Sequence, residues 1–364
     1  MKIGIDARND ATGVGRYTFS LVRELAKIDS ENEYVLFLNR ERFATFAAPG
    51  PNFRPAEAPI PWFTIREQLE LPRLVGRERL DLMHYPHITV PLLSRTPFVV
   101  TIHDLNYLDA AATSSRAILR AGYRVELAKA RRARRLIAVS EHTRAAVVRA
   151  MRVDPARVDV TYEAADPAVA VEPDAAVLDR HGLDDPFFLY VGSAYPYKNL
   201  ARLLEATVHA AGEYRLVLAG DHEEFGPELR AQAASLGLGE RVIFPGPVSD
   251  AELAALYDAA LGYVFVSLGE GFGLPGLEAM RAGVPVIAAN AGSLPEIYAD
   301  AARYCDPLDV ASISAALTEV ARDGALRQRL VALGHKRADE FSWTRTAEQT
   351  LAVYRRAVRE TLLH

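Results

Sequence analysis

Short runs of consecutive apolar residues alternate along this chain with longer stretches in which apolar positions recur at helical spacing. The runs at 2–6, 34–38, 97–102, 136–139 and 158–162 are rich in Val, Ile, Leu and Phe, and so are those at 187–191, 214–219, 242–248, 263–267 and 284–289. Unbroken apolar runs of this length suit strands buried on both faces, the environment of a parallel sheet. After the first run, the turn Thr12-Gly13-Val14-Gly15-Arg16-Tyr17 leads into a segment whose apolar positions Phe19, Val22, Leu25 and Ala26 mark one helix face. Strand, helix and strand over residues 2–38 make a βαβ unit. The order recurs in both halves, so the pattern predicts an α/β protein of two doubly wound domains. Residues 81–87 end another short strand, and residues 49–61, with five prolines, read as an irregular surface loop. The proline-marked segment beginning Glu163-Ala-Ala-Asp-Pro reads as the interdomain linker, dividing the chain into 1–168 and 169–344.

The length of 364 residues agrees with two domains, and half the residues are hydrophobic with 24% charged, ordinary for a globular protein. The first residues read as a strand and not as a leader, and no apolar run reaches the ~18 residues that span a bilayer. The one cysteine, Cys305, excludes an internal disulfide and a cysteine-based zinc site. A cytoplasmic protein is the expectation. Lysine is scarce: only Lys2, Lys27, Lys129, Lys198 and Lys336 occur among the 42 Lys and Arg.

One stretch concentrates candidate chemistry. The strand at 263–267 runs into a glycine-rich turn and then a helix, with Pro275 placed for its first position and Gly283 just past its end. Glu270 lies in the turn and Glu278 in the predicted first turn of the helix. A loop of this kind sits at the carboxyl edge of a parallel sheet, where open α/β folds bind ligands. Carboxylates near a helix start can simply complement its dipole. The glycines suggest more, because Gly271 and Gly273 let backbone amides approach an anion closely. Carboxylates repel an anion but bind neutral hydroxyls. A phosphate flanked by two polyols describes a nucleotide-sugar.

Elsewhere, Gly13-Val14-Gly15 invites a dinucleotide reading, but Thr18 stands where Gly-x-Gly-x-x-Gly needs its third glycine. A tight loop whose amides face a phosphate or sugar is the alternative. His84 and His87 could ligate metal, yet no third ligand clusters with them, and no metal is expected. His103 follows the strand 97–102 and is delivered to the carboxyl edge. Lys198, after the strand 187–191, can set a compact charge against a diphosphate.

The run Glu270-Gly-Phe-Gly-Leu-Pro-Gly-Leu-Glu278 with its Ala-Met-Arg-Ala-Gly-Val-Pro-Val sequel resembles the Glu-x7-Glu motif of the retaining glycosyltransferases of family four, and Ala291-Gly-Ser-Leu-Pro-Glu296 strengthens the match. That resemblance implies the GT-B fold: two Rossmann-like domains facing across a cleft. It implies a helix at 345–364 crossing back to complete the first, acceptor-side domain. It further implies a metal-independent hexosyltransferase needing no cofactor beyond its nucleotide-sugar donor. Glu270 would hold the transferred sugar, Glu278 the ribose, and His103 the sugar from the opposing domain. Lys198 would meet the diphosphate, with Gly13, Val14, Gly15, Ser193, Val248, Gly271, Phe272, Gly273 and Leu274 completing the donor site. Relatives carry an arginine near Lys198 where this chain has Ser193 and Tyr197, so Arg16 is a candidate for the second cation. No Asp-x-Asp occurs to hold a metal-bound diphosphate. The flavour of Gly-Val-Gly-Arg-Tyr and Tyr-Lys-Asn-Leu resembles the mannosyltransferase-like branch that builds cell-surface polysaccharide, which favours GDP-mannose over UDP-sugars and a glycan or lipid-linked acceptor.

The net charge of −5 conceals a basic region. From Arg116 to Arg157 there are twelve Lys and Arg against three acids, with Arg116, Arg120 and Arg124 on one helix face. A solvated face is the simple reading, and contact with an anionic membrane the functional one. Nucleic acid is disfavoured by the acidic balance and the absence of a binding motif. Two other functions compete: a catalytically idle nucleotide-sugar-binding protein and a nucleotide-sugar epimerase of similar fold.

Overall fold

The computed structural model describes residues 1–9, 13–62, 64–106, 117–165, 171–212 and 214–362. They form two compact units, Met1–Glu163 with Ser342–His364, and Ala164–Phe341. The expected boundary at 168/169 falls outside the described residues.

The first unit carries strands β1 (Lys2–Asp6), β2 (Glu33–Leu38), β3 (Phe53–Glu57), β4 (Leu82–Tyr85), β5 (Phe98–Ile102), β6 (Arg135–Ala138) and β7 (Val158–Val160). They make one sheet in the order β3-β2-β1-β4-β5-β6-β7, with every pairing parallel. The apolar runs behave as expected: every residue of β4, β5 and β6 is buried. Val35, Leu71, Met83, Tyr85, Val100 and Leu136 belong to one core on a face of this sheet.

Two expectations are corrected here. Residues 49–61 are not wholly irregular, because β3 lies within them. Pro55 donates no ladder hydrogen bond, and β3 tolerates it by being an edge strand. The Gly13-Val14-Gly15 segment is not a loop ahead of the helix. It forms the first turn of the helix Gly13–Ile28, with Gly13 exposed and Gly15 buried. The residues just before it, 10–12, lie outside the described ones.

The closing helix Trp343–Leu362 packs against Gly13–Ile28. Thr344 Oγ1 donates to Glu24 Oε2 at 3.1 Å, and the rings of Trp343 and Tyr17 lie 5.9 Å apart.

The second unit carries β8 (Phe187–Val191), β9 (Arg215–Ala219), β10 (Val242–Gly246), β11 (Gly262–Phe265), β12 (Val286–Ala289) and β13 (Ala302–Cys305) in the parallel order β10-β9-β8-β11-β12-β13. The order reverses at β8, with β9 on one side and β11 on the other. A crevice opens at such a switch point beyond the carboxyl ends of the strands. Lys198 follows β8 and Glu270 follows β11.

Candidate active site

In the second unit, Lys198 Nζ donates to Glu270 Oε1 at 2.7 Å, with the two side chains only 13% and 11% exposed. The ammonium also lies 4.9 Å from the ring centre of Tyr197 and 5.3 Å from that of Phe265. Backbone bonds fix the two loops against each other: Leu268 N donates to Tyr197 O at 2.8 Å. Asn199, in a left-handed conformation at φ 64°, donates from Nδ2 to Val266 O at 3.1 Å and Pro307 O at 2.7 Å. The loops after β8, β11 and β13 are therefore pinned through one amide.

The glycine-rich turn is braced from behind. Ser293 Oγ donates at 3.0 Å to the carbonyls of Glu270 and Phe272, and Tyr298 Oη donates to Gly273 O at 2.6 Å. Gly273 caps the helix Leu274–Arg281 at φ 105°, where a Cβ would come within 2.6 Å of Tyr298 Oη. Only glycine fits both that dihedral and that approach. Gly276, one turn on, faces the same hydroxyl. The carbonyls of the turn point into this bracing; in the first helical turn Pro275 has no N–H and Gly276 N donates to Gly273 O at 3.2 Å.

Glu278 is corrected. It lies in the second turn of the helix and not the first, and it is 2% exposed. Helix-dipole stabilisation of a solvated carboxylate therefore does not explain it. Pro275 takes the second helical position, with Leu274 at the first. Gly271, Phe272 and Gly273 are buried and Leu274 half-buried. Ser193 follows β8, its carbonyl accepting from Tyr190 Oη at 2.7 Å, and half-buried Val248 follows β10. Lys198, Glu270, Ser193 and Val248 thus all stand beyond carboxyl ends of the second sheet.

In the first unit, His103 follows β5. Its Nδ1 is 2.8 Å from Glu163 Oε1 and its Nε2 2.9 Å from Pro86 O. The edge of Tyr17 meets the ring at 4.8 Å, and Thr143 Oγ1 donates to His103 O at 3.3 Å. Burial alone would lower the His103 pKa, but the hydrogen bond and charge of Glu163 outweigh it and the net shift is upward. Glu163 was read from the sequence only as the start of a linker. Sixty residues separate it from His103, and no local pattern signals the pair.

His84 and His87 do not form a metal site. His84 is fully buried, bonded to Tyr354 Oη at 2.7 Å and Thr101 Oγ1 at 2.8 Å, while His87 bonds Thr89 Oγ1 at 3.1 Å. Among the described residues no group of three His, Cys, Asp or Glu is arranged to hold a metal ion.

Part of the basic run is structural. Arg135 pairs with Asp159 at 2.6 Å and Glu360 at 2.8 Å, and Lys129 with Glu126 at 2.7 Å. Arg124, Arg131 and Arg132 are exposed, whereas Arg116 and the Arg120 side chain lie outside the described residues. No helix among the described residues is long and apolar enough to cross a membrane.

Comparison with known proteins agrees with this geometry. Residues 11–169 match Glycosyltransferase Family 4, and residues 179–337 match Glycosyl transferases group 1. O-antigen chain mannosyltransferase B of Escherichia coli is 30% identical over 373 residues, covering 94% of this chain and 96% of that protein. Among solved structures, sucrose-phosphate synthase from Thermosynechococcus elongatus superposes with a TM-score of 0.78 at 22% identity, covering 98% of each chain. Anabaena HepE, solved with UDP-glucose, gives 0.77 at 18% identity, covering 100% of this chain and 99% of the other. The fold is GT-B, and the protein is a glycosyltransferase. The chain belongs to the group 1 glycosyltransferases of family 4, in their mannosyltransferase-like branch.

Proposed function

We propose that the protein transfers a hexose from a nucleotide-diphosphate sugar to a glycan or lipid-linked acceptor, with retention at the anomeric carbon and without a metal. GDP-mannose is the favoured donor, ahead of UDP-sugars, because O-antigen chain mannosyltransferase B and an MMP alpha-(1->4)-mannosyltransferase, both relatives over much of this chain, are mannosyltransferases by name. The observation that carries the reading is the Lys198–Glu270 pair at the switch point of the second sheet. One cation and one carboxylate side by side at that edge suit a diphosphate that adjoins a sugar.

On this reading Lys198 and the amides around Gly271, Phe272, Gly273 and Leu274 meet the diphosphate. Glu270 holds hydroxyls of the transferred sugar and Glu278 the ribose. Ser193 and Val248 line the donor through their backbone, and Gly13, Val14 and Gly15 bring the first turn of a helix to it. Arg16 supplies the second cation, and His103 acts beside the sugar. The C1–O bond to the diphosphate breaks as the acceptor oxygen bonds C1 on the same face. The acceptor proton passes to the departing phosphate oxygen, so no carboxylate nucleophile is needed. We also assign peripheral contact with anionic lipid to the face bearing Arg116, Arg120 and Arg124. Elsewhere in the basic run, the guanidinium of exposed Arg132 donates to the carbonyls of Leu92 and Ser94, beside exposed Leu92 and Leu93.

The test is to incubate the protein with GDP-mannose or a UDP-sugar, mannose-bearing acceptors and EDTA, and to read the anomer of the product by NMR. Retained configuration in EDTA is expected. Inversion, dependence on added metal, or epimerised donor without transfer overturns the reading.

A further inference from the structure

We propose that Glu163 is the positioning residue of His103, holding its imidazole doubly protonated so that His103 serves the reaction as a fixed cation and not as a base. The inference rests on the transfer reaction proposed above and names a member of that site which neither the family motif nor the sequence indicated.

The partners of the ring fix its protons. Nε2 faces the carbonyl of Pro86 at 2.9 Å, and a carbonyl oxygen only accepts, so Nε2 carries a hydrogen. Nδ1 faces a carboxylate oxygen of Glu163 at 2.8 Å, the length of a charge-assisted bond, so Nδ1 carries one too. No lone pair is left to take a proton from an acceptor. The other groups around the ring agree. Asp104, next in the chain, adds negative charge, and its Oδ1 accepts from Asn106 N at 2.9 Å. His84 on β4 and His87 just beyond it are held neutral by burial, with His103 as the further cause. From the helix Gly13–Ile28 the Tyr17 ring meets the imidazole in a T-shaped contact, and from the helix Glu141–Met151 the Thr143 hydroxyl donates to the His103 carbonyl. Glu163 itself is 4% exposed, so its charge is little screened by water.

The position of Glu163 is informative as well. It is the last residue of the first unit before the chain passes into the second, and Ser342 is where the chain returns. Both crossings abut the same cluster: Trp343 lies against Tyr17, and Thr346 Oγ1 donates to Tyr162 O at 2.6 Å. The carboxylate is thus anchored by the chain crossing, and it fixes the ring plane from there. A cation held in this way, beside the sugar in the reaction proposed above, meets developing charge without reorganising when the bond breaks.

The experiment uses the full chain, its Glu163→Gln and Glu163→Asp variants, and His103→Gln to assign the ring signal. NMR of labelled histidine follows the loss of the second imidazole proton with pH. In the parent, His103 is expected to keep that proton to a clearly higher pH than in Glu163→Gln. In transfer assays Glu163→Gln should lose roughly tenfold or more in kcat on the basic side and recover on the acidic side. Its donor KM should stay within about twofold of the parent, and Glu163→Asp should restore most of the loss. A Glu163→Gln variant with the kcat and pH profile of the parent overturns the proposal. So does a parent ring that loses its proton at or below the ordinary histidine pKa, a measurement that stands even if Glu163→Gln folds poorly. Should the parent transfer no sugar at all, the proposed reaction fails while the titration still decides the role of Glu163.

Discussion

Lys198 Nζ and Glu270 Oε1 lie 2.7 Å apart although 72 residues separate them, and the contact joins the two loops that flank the switch point of the second sheet. The lysine that would bind a diphosphate is paired with the carboxylate that would bind the sugar. Changes to the two residues should therefore act in opposite directions on a nucleoside diphosphate that carries no sugar. Lys198→Ala removes a charge-assisted contact of about 1.5–3 kcal/mol and should weaken GDP or UDP binding roughly ten- to a hundredfold. Glu270→Gln frees the ammonium and should leave that affinity unchanged or raised, while transfer falls. Calorimetric titration of both variants checks the signs.

The bracing of the glycine-rich turn makes a stability prediction. A methyl at Gly276 collides with the Tyr298 hydroxyl in a fully buried place, so Gly276→Ala should destabilise by about 1–3 kcal/mol. Tyr298→Phe loses one hydrogen bond to Gly273 O and should cost about 1 kcal/mol or somewhat more. Combined, the two should not add simply, because both act on the Tyr298 ring, whose Cζ the added methyl also strikes. Urea denaturation of the single and double variants measures this.

Acid should unfold the first unit through its buried histidines. Burial pushes the His84 pKa down from 6.5 to about 3 and that of His87 down to about 4. The unfolded chain takes up protons near pH 6.5 that the folded rings refuse. This part of the stability is complete above that pH and is lost as pH falls toward the folded values. His103 has the opposite sign: its raised pKa adds stability that is present below pH 6.5 and fades as pH rises through the folded value. Tm should decline steeply below about pH 6, and His84→Asn should flatten that decline while lowering Tm at neutral pH.

The strands and their parallel order were legible because short continuous apolar runs have few other uses in a globular chain. β8 begins and ends where the run Phe187 to Val191 does. The edge strand β3 was hidden by Pro55, since one proline weakens a strand signal unless the strand is known to lie at an edge. Glu270 and Lys198 could each be picked out, one from a motif and one from lysine scarcity. That they touch could not, because the spacing between the loops is set by strand order. Glu163 illustrates the limit further. A single glutamate in a proline-marked segment carries no periodicity, and its partner is chosen by the neighbouring strands of the first sheet.

On the proposed function, a nucleotide-diphosphate sugar binds at Lys198 and Glu270 without metal. The measurement is a thermal-shift series with GDP-mannose, UDP-glucose and ADP-glucose in EDTA, on the parent and on Lys198→Ala. At a hundredfold excess over its dissociation constant, a ligand of the folded state adds about 2.7 kcal/mol and raises Tm by several degrees. One of the three, GDP-mannose first, should stabilise the parent in EDTA and stabilise Lys198→Ala far less. If none shifts the parent, or if the variant responds as the parent does, the donor site described here is contradicted.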